Sequence, residues 1–351
     1  MTPKSAAAIL PSRNEPATIA VVTAAVDAAL NDPRAVIIHA DSSDHPTTSK
    51  RFTATPTHAR KISLPNLPRG KGAQILEALA HLPDTGGPVL IADTDTRNPD
   101  PDVYRDLLVH GERGFAIADY PRFWDEANFT SHMARPLIAA TTGLDVPQPL
   151  AGDLALSALA IRAVRAAVNT MNAQLRLAVD GYGIDAFLLL TAAPTGRLTS
   201  VPVQTPKTHA ASFPHLQQIY DQAVPVLLAL TADWPHRLVP GASAPPYRLA
   251  HRTLEPHRRA AMLATLDAFA PLDPRYDACS WSVAVADAWH SVRNEAAPHE
   301  AAHGLWPHYV HRVRTWLTAA TPPNERAAQL AAAHTRLFGV LTAHSTRSRI
   351  S

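Results

Sequence analysis

The chain is expected to fold as an α/β protein with a mostly parallel sheet flanked by helices, followed by a mainly helical C-terminal region. Three observations predict this. Short apolar runs alternate with helical-period segments through the first 120 residues, which is the pattern of successive βα units. Polar, turn-forming stretches follow those runs. From Thr130 onward the apolar spacing is mostly helical.

The elements follow in order. Residues 6–10 are apolar and stop at Pro11, which reads as a buried strand. Residues 18–30 are apolar on a helical period after Pro16, a residue tolerated in a first helical turn. Residues 35–40 are β-branched and apolar, a second strand, and 41–48 read as polar loop. A shorter strand is expected over 62–67, a helix over 71–82 and a strand over 88–92. An acidic loop follows over 93–102, then a helix over 103–110 and a strand over 114–119. Parallel sheets of this kind bind ligands at the carboxyl ends of their strands. The loops beginning at Pro11, Asp41 and Asp93 should therefore line one edge. Beyond Thr130, a strand is expected over 197–204 and helices over 256–268, 280–296 and 324–341. The stretch 235–274 is otherwise Pro-, His- and Arg-rich loop.

Composition narrows the function classes. The chain has 351 residues, 46 % hydrophobic and 18 % charged, which is globular rather than disordered. A net charge of +2 lacks the basic excess of a nucleic-acid binder. Cys279 is the only cysteine, so neither an internal disulfide nor a cysteine-based zinc site is expected, which fits a reducing cytoplasm. The run 6–10 is too short for a secretory leader. No stretch reaches the roughly 18 apolar residues of a membrane helix, so no membrane partner is expected. The abundant Arg, Ala and Pro read as coding bias and carry no functional weight.

Four constellations carry chemistry. Asp93 and Asp95, two apart just past a buried strand, offer oxygen ligands of the kind Mg²⁺ or Mn²⁺ takes when it bridges a carboxylate to a diphosphate. Alone they also read as a solvated turn. Gly70-Lys71-Gly72 opens a helix, where glycine permits close backbone approach and the helix end with Lys71 attracts anions. Alone it is a turn, and it lacks the Walker spacing. Pro11 to Glu15 and Asp41 to Asp44 are strand-end loops of neighbouring units that together could cradle a base and ribose. His299 and His303, with Glu300 between them, have zinc-protease spacing. Pro298 and Gly304 crowd them, and a chance match among 18 histidines is the better reading. His39 and His132 are read as structural.

The order of these loops resembles the nucleotide-sugar half of GT-A glycosyltransferases. The likeness continues through Tyr120-Pro121-Arg122, Ala134-Arg135-Pro136-Leu137, Gln148-Pro149-Leu150-Ala151-Gly152-Asp153, Gly181-Tyr182-Gly183-Ile184-Asp185 and Lys207-Thr208-His209. This succession resembles the glucosyl-3-phosphoglycerate synthase and mannosylglycerate synthase group of retaining glycosyltransferases, over about residues 6–230. Asp153 stands where that group carries Glu, and no glycine occurs over 123–129, where the synthases that use phosphoglycerate are Gly-rich.

The resemblance implies a GT-A, Rossmann-like catalytic region over 1–230 and a helical region over 231–351 acting as lid, dimer contact or both. It implies that Asp95 and His209 hold Mg²⁺ or Mn²⁺, with Asp93 on the ribose or behind the ligands. Pro11, Arg13, Glu15 and Asp41 would contact the nucleotide, and Lys71 the base or phosphate. Leu150, Gly152, Asp153 and Asp185 would line the sugar and acceptor pocket, with Tyr120 and Arg122 on the acceptor side. The expected activity is metal-dependent, retaining transfer of a hexose from a nucleoside-diphosphate sugar to a small polar acceptor, by a cytoplasmic homodimer. If a carboxylate nucleophile takes part, Asp153 and Asp185 are the candidates. The rival readings are a nucleotidyltransferase that makes the nucleotide-sugar and a non-catalytic nucleotide-sugar binder.

Overall fold

Ser5–Ser12 forms β1, and seven of its eight residues are buried, as expected of a strand covered on both faces. The protein is described by a computed structural model over residues 5–83, 86–126, 128–209, 212–235, 246–270, 273, 276 and 281–347; Cys279 lies outside these residues. Contacts divide the chain into two units, Met1–Tyr120 with Leu150–Ala210, and Pro121–Pro149 with Ala211–Ser351.

In the first unit, α1 (Ile19–Leu30) carries β1 over to the parallel strand β2 (Val36–Asp41), with Ala7 opposite Val36. Then come α2 (Thr47–Ala54), β3 (Arg60–Leu64), α3 (Lys71–Ala80), β4 (Gly86–Ile91), α4 (Pro101–Gly111) and β5 (Gly114–Asp119). The chain leaves for β6 (Arg122–Phe123) and α5 (Arg135–Thr142) of the second unit. It returns with β7 (Leu154–Leu156), α6 (Ala158–Thr170), α7 (Ala173–Asp180), α8 (Ile184–Ala192) and β8 (Arg197–Pro202). The sheet order is β3-β2-β1-β4-β7-β5-β8, parallel except that β7 runs antiparallel to both β4 and β5. The carboxyl ends of β1, β2 and β4 thus lie side by side, which places the Pro11, Asp41 and Asp93 loops along one edge.

Several elements differ from expectation, among them a helix and a short strand of this unit. Thr47–Ala54 is a helix that begins inside the expected polar loop; only Thr48 and Phe52, one turn apart, are buried, so its apolar signal is nearly absent. The strand β7 has three residues, too few to show a period.

The second unit adds α9 (Leu216–Ala232), β9 (Leu249–Ala250), α10 (Pro256–Phe269), α11 (Trp281–Arg293), α12 (Pro298–Thr318) and α13 (Pro323–Arg347). Arg122 of β6 pairs with Leu249 of β9. Tyr220 of α9 packs against Trp306 and Tyr309 of α12, with ring centroids 4.6 and 5.0 Å apart. These aromatic contacts are why α9 packs with the later helices, and α5 joins the same unit. By contacts the division is therefore interleaved along the chain. No single helix among the described residues is long and apolar enough to cross a membrane.

Candidate active site at the strand edge

The Asp93 loop follows β4. Its Thr94 hydroxyl donates to the Pro11 carbonyl at 2.7 Å, which ties the loop to the end of β1. The end of β2 joins them through Gln74 of α3, whose amide donates to the Ser12 carbonyl and the Ser42 hydroxyl, both at 2.6 Å.

Asp93 lies between two lysines. Lys71 Nζ is 3.0 Å from its Oδ1, and Lys207 Nζ is 2.9 Å from its Oδ2. Lys71 also reaches Asp185 at 2.9 Å, near the start of α8, and Lys207 reaches Asp153 at 2.8 Å. Asp153 has no exposed surface. Its Oδ1 accepts from the Asp93 backbone N–H at 3.0 Å, and its Oδ2 from the Tyr120 hydroxyl at 2.7 Å. The chain Asp185–Lys71–Asp93–Lys207–Asp153–Tyr120 is thus one continuous ionic and hydrogen-bonded string.

Its electrostatics follow from three carboxylates sharing two ammonium groups. Burial opposes both charged lysines, but Asp185 and Asp93 outweigh it at Lys71, and Asp153 and Asp93 at Lys207; both are held above the ordinary lysine value. Burial also opposes an ionised Asp93, yet its two lysines hold it well below the usual carboxylate range. The surplus negative charge falls on Asp185: burial pushes it up, Lys71 draws it back, and Asp93 pushes it up again, leaving it raised. Burial and the adjacent Asp153 raise the Tyr120 phenol, which stays a donor.

Asp95 and His209 form the second part of the site. His209 Nδ1 lies 3.9 Å from Asp95 Oδ2 although the two are far apart in the chain. Three hydrogen bonds stitch their segments together. The Arg97 N–H donates to the Thr208 carbonyl at 2.8 Å, Thr208 N–H to Asn98 Oδ1 at 2.8 Å, and Asn98 Nδ2 to the Pro206 carbonyl at 3.2 Å. Burial raises the Glu15 carboxyl, and the nearby Asp95 charge adds to it. Burial likewise raises the Tyr182 phenol, which feels Lys71, Asp95, Arg13 and Asp185 in turn and so stands among them.

The remaining residues singled out from the sequence are placed as follows. Asp41 is buried and occupied by nearby serines, accepting from Ser43 N–H at 2.9 Å, from Ser12 Oγ of β1 at 3.3 Å and from the Ser49 hydroxyl of α2. Arg13 is half-exposed and 3.5 Å from Asp44. Leu150 is partly buried. Gly152 lies against the Asp93 carboxylate, and a Cβ there would overlap it. Gly70, at φ 132°, and Gly72 adjoin the carbonyls of Asp180 and Val179, so both glycines serve backbone packing onto the end of α7. Lys71 points at carboxylates. Arg122 lies on β6 and belongs to the second unit. His299 and His303 lie in the first turns of α12, and no group of three metal-ligating side chains forms among the described residues.

Gln74 was not singled out from the sequence, and Lys207 and Tyr182 stood in segments that carry the resemblance without a role assigned to them. One signal for Lys207 was available. The chain has five lysines against 27 arginines, and two of those five carry the string. A buried position that tolerates only a compact ammonium is where an arginine-rich chain keeps a lysine.

The sheet order, the helices on its faces and the helical C-terminal part define the GT-A glycosyltransferase fold. Solved structures of glucosyl-3-phosphoglycerate synthase from Mycobacterium tuberculosis share it. The complex with phosphoglyceric acid is 24 % identical at a TM-score of 0.50, covering 65 % of this chain and 80 % of that one. The complex with Mn²⁺, uridine diphosphate and phosphoglyceric acid is 22 % identical at 0.51, covering 66 % and 80 %. The complex with Mg²⁺ and uridine diphosphate is 23 % identical at 0.50, covering 65 % and 79 %. The likeness is one of fold. No protein-family model and no curated protein matches the chain.

Proposed function

We propose that the protein is a metal-dependent glycosyltransferase that moves a hexose from a nucleoside-diphosphate sugar to a small polar acceptor with retention. The observation that carries this is the 3.9 Å approach of His209 to Asp95 at the carboxyl edge of β4. A carboxylate oxygen suits Mn²⁺ or Mg²⁺, and the imidazole nitrogen favours the transition metal Mn²⁺ over Mg²⁺. With only two protein ligands, an ion held there would remain open to the oxygens of a phosphate-bearing substrate. The structures of similar fold hold Mn²⁺ or Mg²⁺ with uridine diphosphate.

Asp95 and His209 would hold the ion, whose chemistry there is to neutralise the charge that grows on the departing diphosphate. The chain's own groups do the rest. Arg13, Glu15 and the Pro11 loop face the nucleotide. The Lys71–Asp93–Lys207 string fixes the Asp93 loop and the 206–209 segment against each other, so the two ligands meet without reorganising. Asp153, with both oxygens occupied and no exposed surface, positions Lys207 and Tyr120 and does not serve as a nucleophile. The acceptor hydroxyl oxygen then bonds to the anomeric carbon from the leaving-group face as that carbon's bond to the diphosphate oxygen breaks, and the hydroxyl proton passes to a diphosphate oxygen. A homodimer in the cytoplasm completes the proposal.

The test incubates the full chain with nucleoside-diphosphate sugars and small hydroxylated acceptors, with and without Mn²⁺, and identifies products by mass spectrometry. Free nucleoside diphosphate with a new glycoside is the expected result, absent in Asp95→Asn. Nucleotide-sugar formed from a nucleoside triphosphate and a sugar phosphate would mean a nucleotidyltransferase. Metal-dependent donor binding without turnover would mean a non-catalytic binder. Light scattering reads the oligomeric state.

A further inference from the structure

In the second unit, Thr130–Ala134 makes one turn of π-helix, a rare geometry found often at functional sites. His132 at its centre is 3 % exposed, and neither ring nitrogen has a hydrogen-bond partner. Its ring meets Trp316 edge-on, with centroids 4.9 Å apart. Arg312 stands one turn before Trp316 on α12, on the same face. Arg312 is 8 % exposed, and its Nε is buried without a partner. Arg326 of α13 is 4 % exposed and lies over the rings of Trp124 and Trp316, at 3.8 and 4.8 Å. It donates only to the neutral carbonyls of Trp316 and Ala319, at 3.0 and 3.1 Å.

These cations act on one another. Burial, then Arg312 and Arg326, holds the His132 imidazole far below its ordinary value and therefore neutral. Burial, then Arg336 of α13, pushes Arg312 down. No carboxylate acts on either group among the described residues. Burying a guanidinium without a counter-charge is costly, and the fold tolerates it where a ligand brings that charge.

We propose that His132, Arg312, Arg326 and Arg336 form a binding site for a small oxyanion, either free phosphate or the phosphoryl group of a small phosphomonoester. The Arg312 fork matches two phosphate oxygens, and the imidazole N–H donates to a third. Arg336, whose charge acts on Arg312, is the exposed member of the four. Bound anion would link the π-turn, α12 and α13. The four residues all belong to the second unit, and their role does not depend on the strand-edge chemistry.

Thermal unfolding of the full chain tests this, with inorganic phosphate or methyl phosphate exchanged for chloride at constant ionic strength. The wild-type midpoint should rise by about 2–4 °C in phosphate. Arg312→Met should unfold in chloride no lower than wild type, because a buried unpaired charge is gone, and should show no response to phosphate. Arg336→Met, at an exposed position, should stay folded and respond less; it decides the matter if Arg312→Met does not fold. An equal response to methyl phosphate would assign the site to phosphomonoesters, and a response to inorganic phosphate alone would assign it to the free anion. No phosphate-specific rise in the wild type, or a full rise retained in Arg336→Met and in any folded Arg312→Met, would overturn the proposal.

Discussion

The carboxylate of Asp93 occupies the space that a Cβ on Gly152 would need. Because Asp93 is held from both sides by Lys71 and Lys207, it cannot swing aside cheaply. Gly152→Ala should destabilise the protein by about 1–3 kcal/mol, as overpacking of a tight interior does. Thermal and urea unfolding measure it. The same change in an Asp93→Ala background should cost clearly less, since the clash is gone; equal costs in the two backgrounds would place the strain elsewhere.

Lys207→Met should leave Asp153 buried with no cation and lower stability by about 3–5 kcal/mol. It should also release the segment that carries His209, so Mn²⁺ binding measured by calorimetry should weaken. Lys207→Arg should not restore it, because the planar guanidinium does not fit between Asp93 and Asp153 as a point charge does. A variant that bound Mn²⁺ as wild type does would count against the positioning role.

Asp95→Asn removes a partly exposed group and should change unfolding stability by no more than about 0.5 kcal/mol, whereas His209→Ala empties a mostly buried position and should cost about 1 kcal/mol. Each should abolish the Mn²⁺-dependent rise in melting temperature caused by a nucleoside diphosphate and lower turnover by about 10²-fold or more. The paired readouts separate a lost ligand from a damaged fold.

His39 gives a pH prediction. Its ring is buried, stacked on Phe52 with centroids 4.6 Å apart, and 2.5 Å from Ser12 Oγ. Burial, against the pull of Asp41, lowers its pKa from 6.5 to about 4. Below 6.5 the unfolded chain takes up a proton that the folded chain refuses. The stability contribution is therefore complete above 6.5 and is lost as pH falls toward 4, by about 3 kcal/mol across the window. Denaturant titrations between pH 7 and 4 should show this slope, and His39→Gln should flatten it.

How far the sequence can be read differs from element to element. The strands over 6–10, 35–40 and 114–119 were legible because buried parallel strands are unbroken apolar runs, and the structure places them in β1, β2 and β5. The Asp93–Asp95 loop was legible as a strand-end acidic pair. The partners of Asp93 were not. Lys207 is 114 residues from it in the chain, and nothing local marks it as an ionic partner. Gly70 and Gly72 looked like a ligand-approach turn, and the structure uses them to let α3 meet the end of α7, a contact that no local pattern encodes. His132 read as a structural histidine, since its buried cationic neighbours come from helices far along the chain.

The amino-acid sequence by itself determined the βα alternation, the edge along which the polar loops gather, and the residue types able to hold a metal there, because these follow from local periodicity and turn chemistry. Tertiary structure alone decided which carboxylate each lysine neutralises, that His209 reaches Asp95, and that Pro121–Pro149 packs with the C-terminal helices. Charges and rings act over a few ångströms of space regardless of how many residues separate them, so those pairings exist only once the chain has folded.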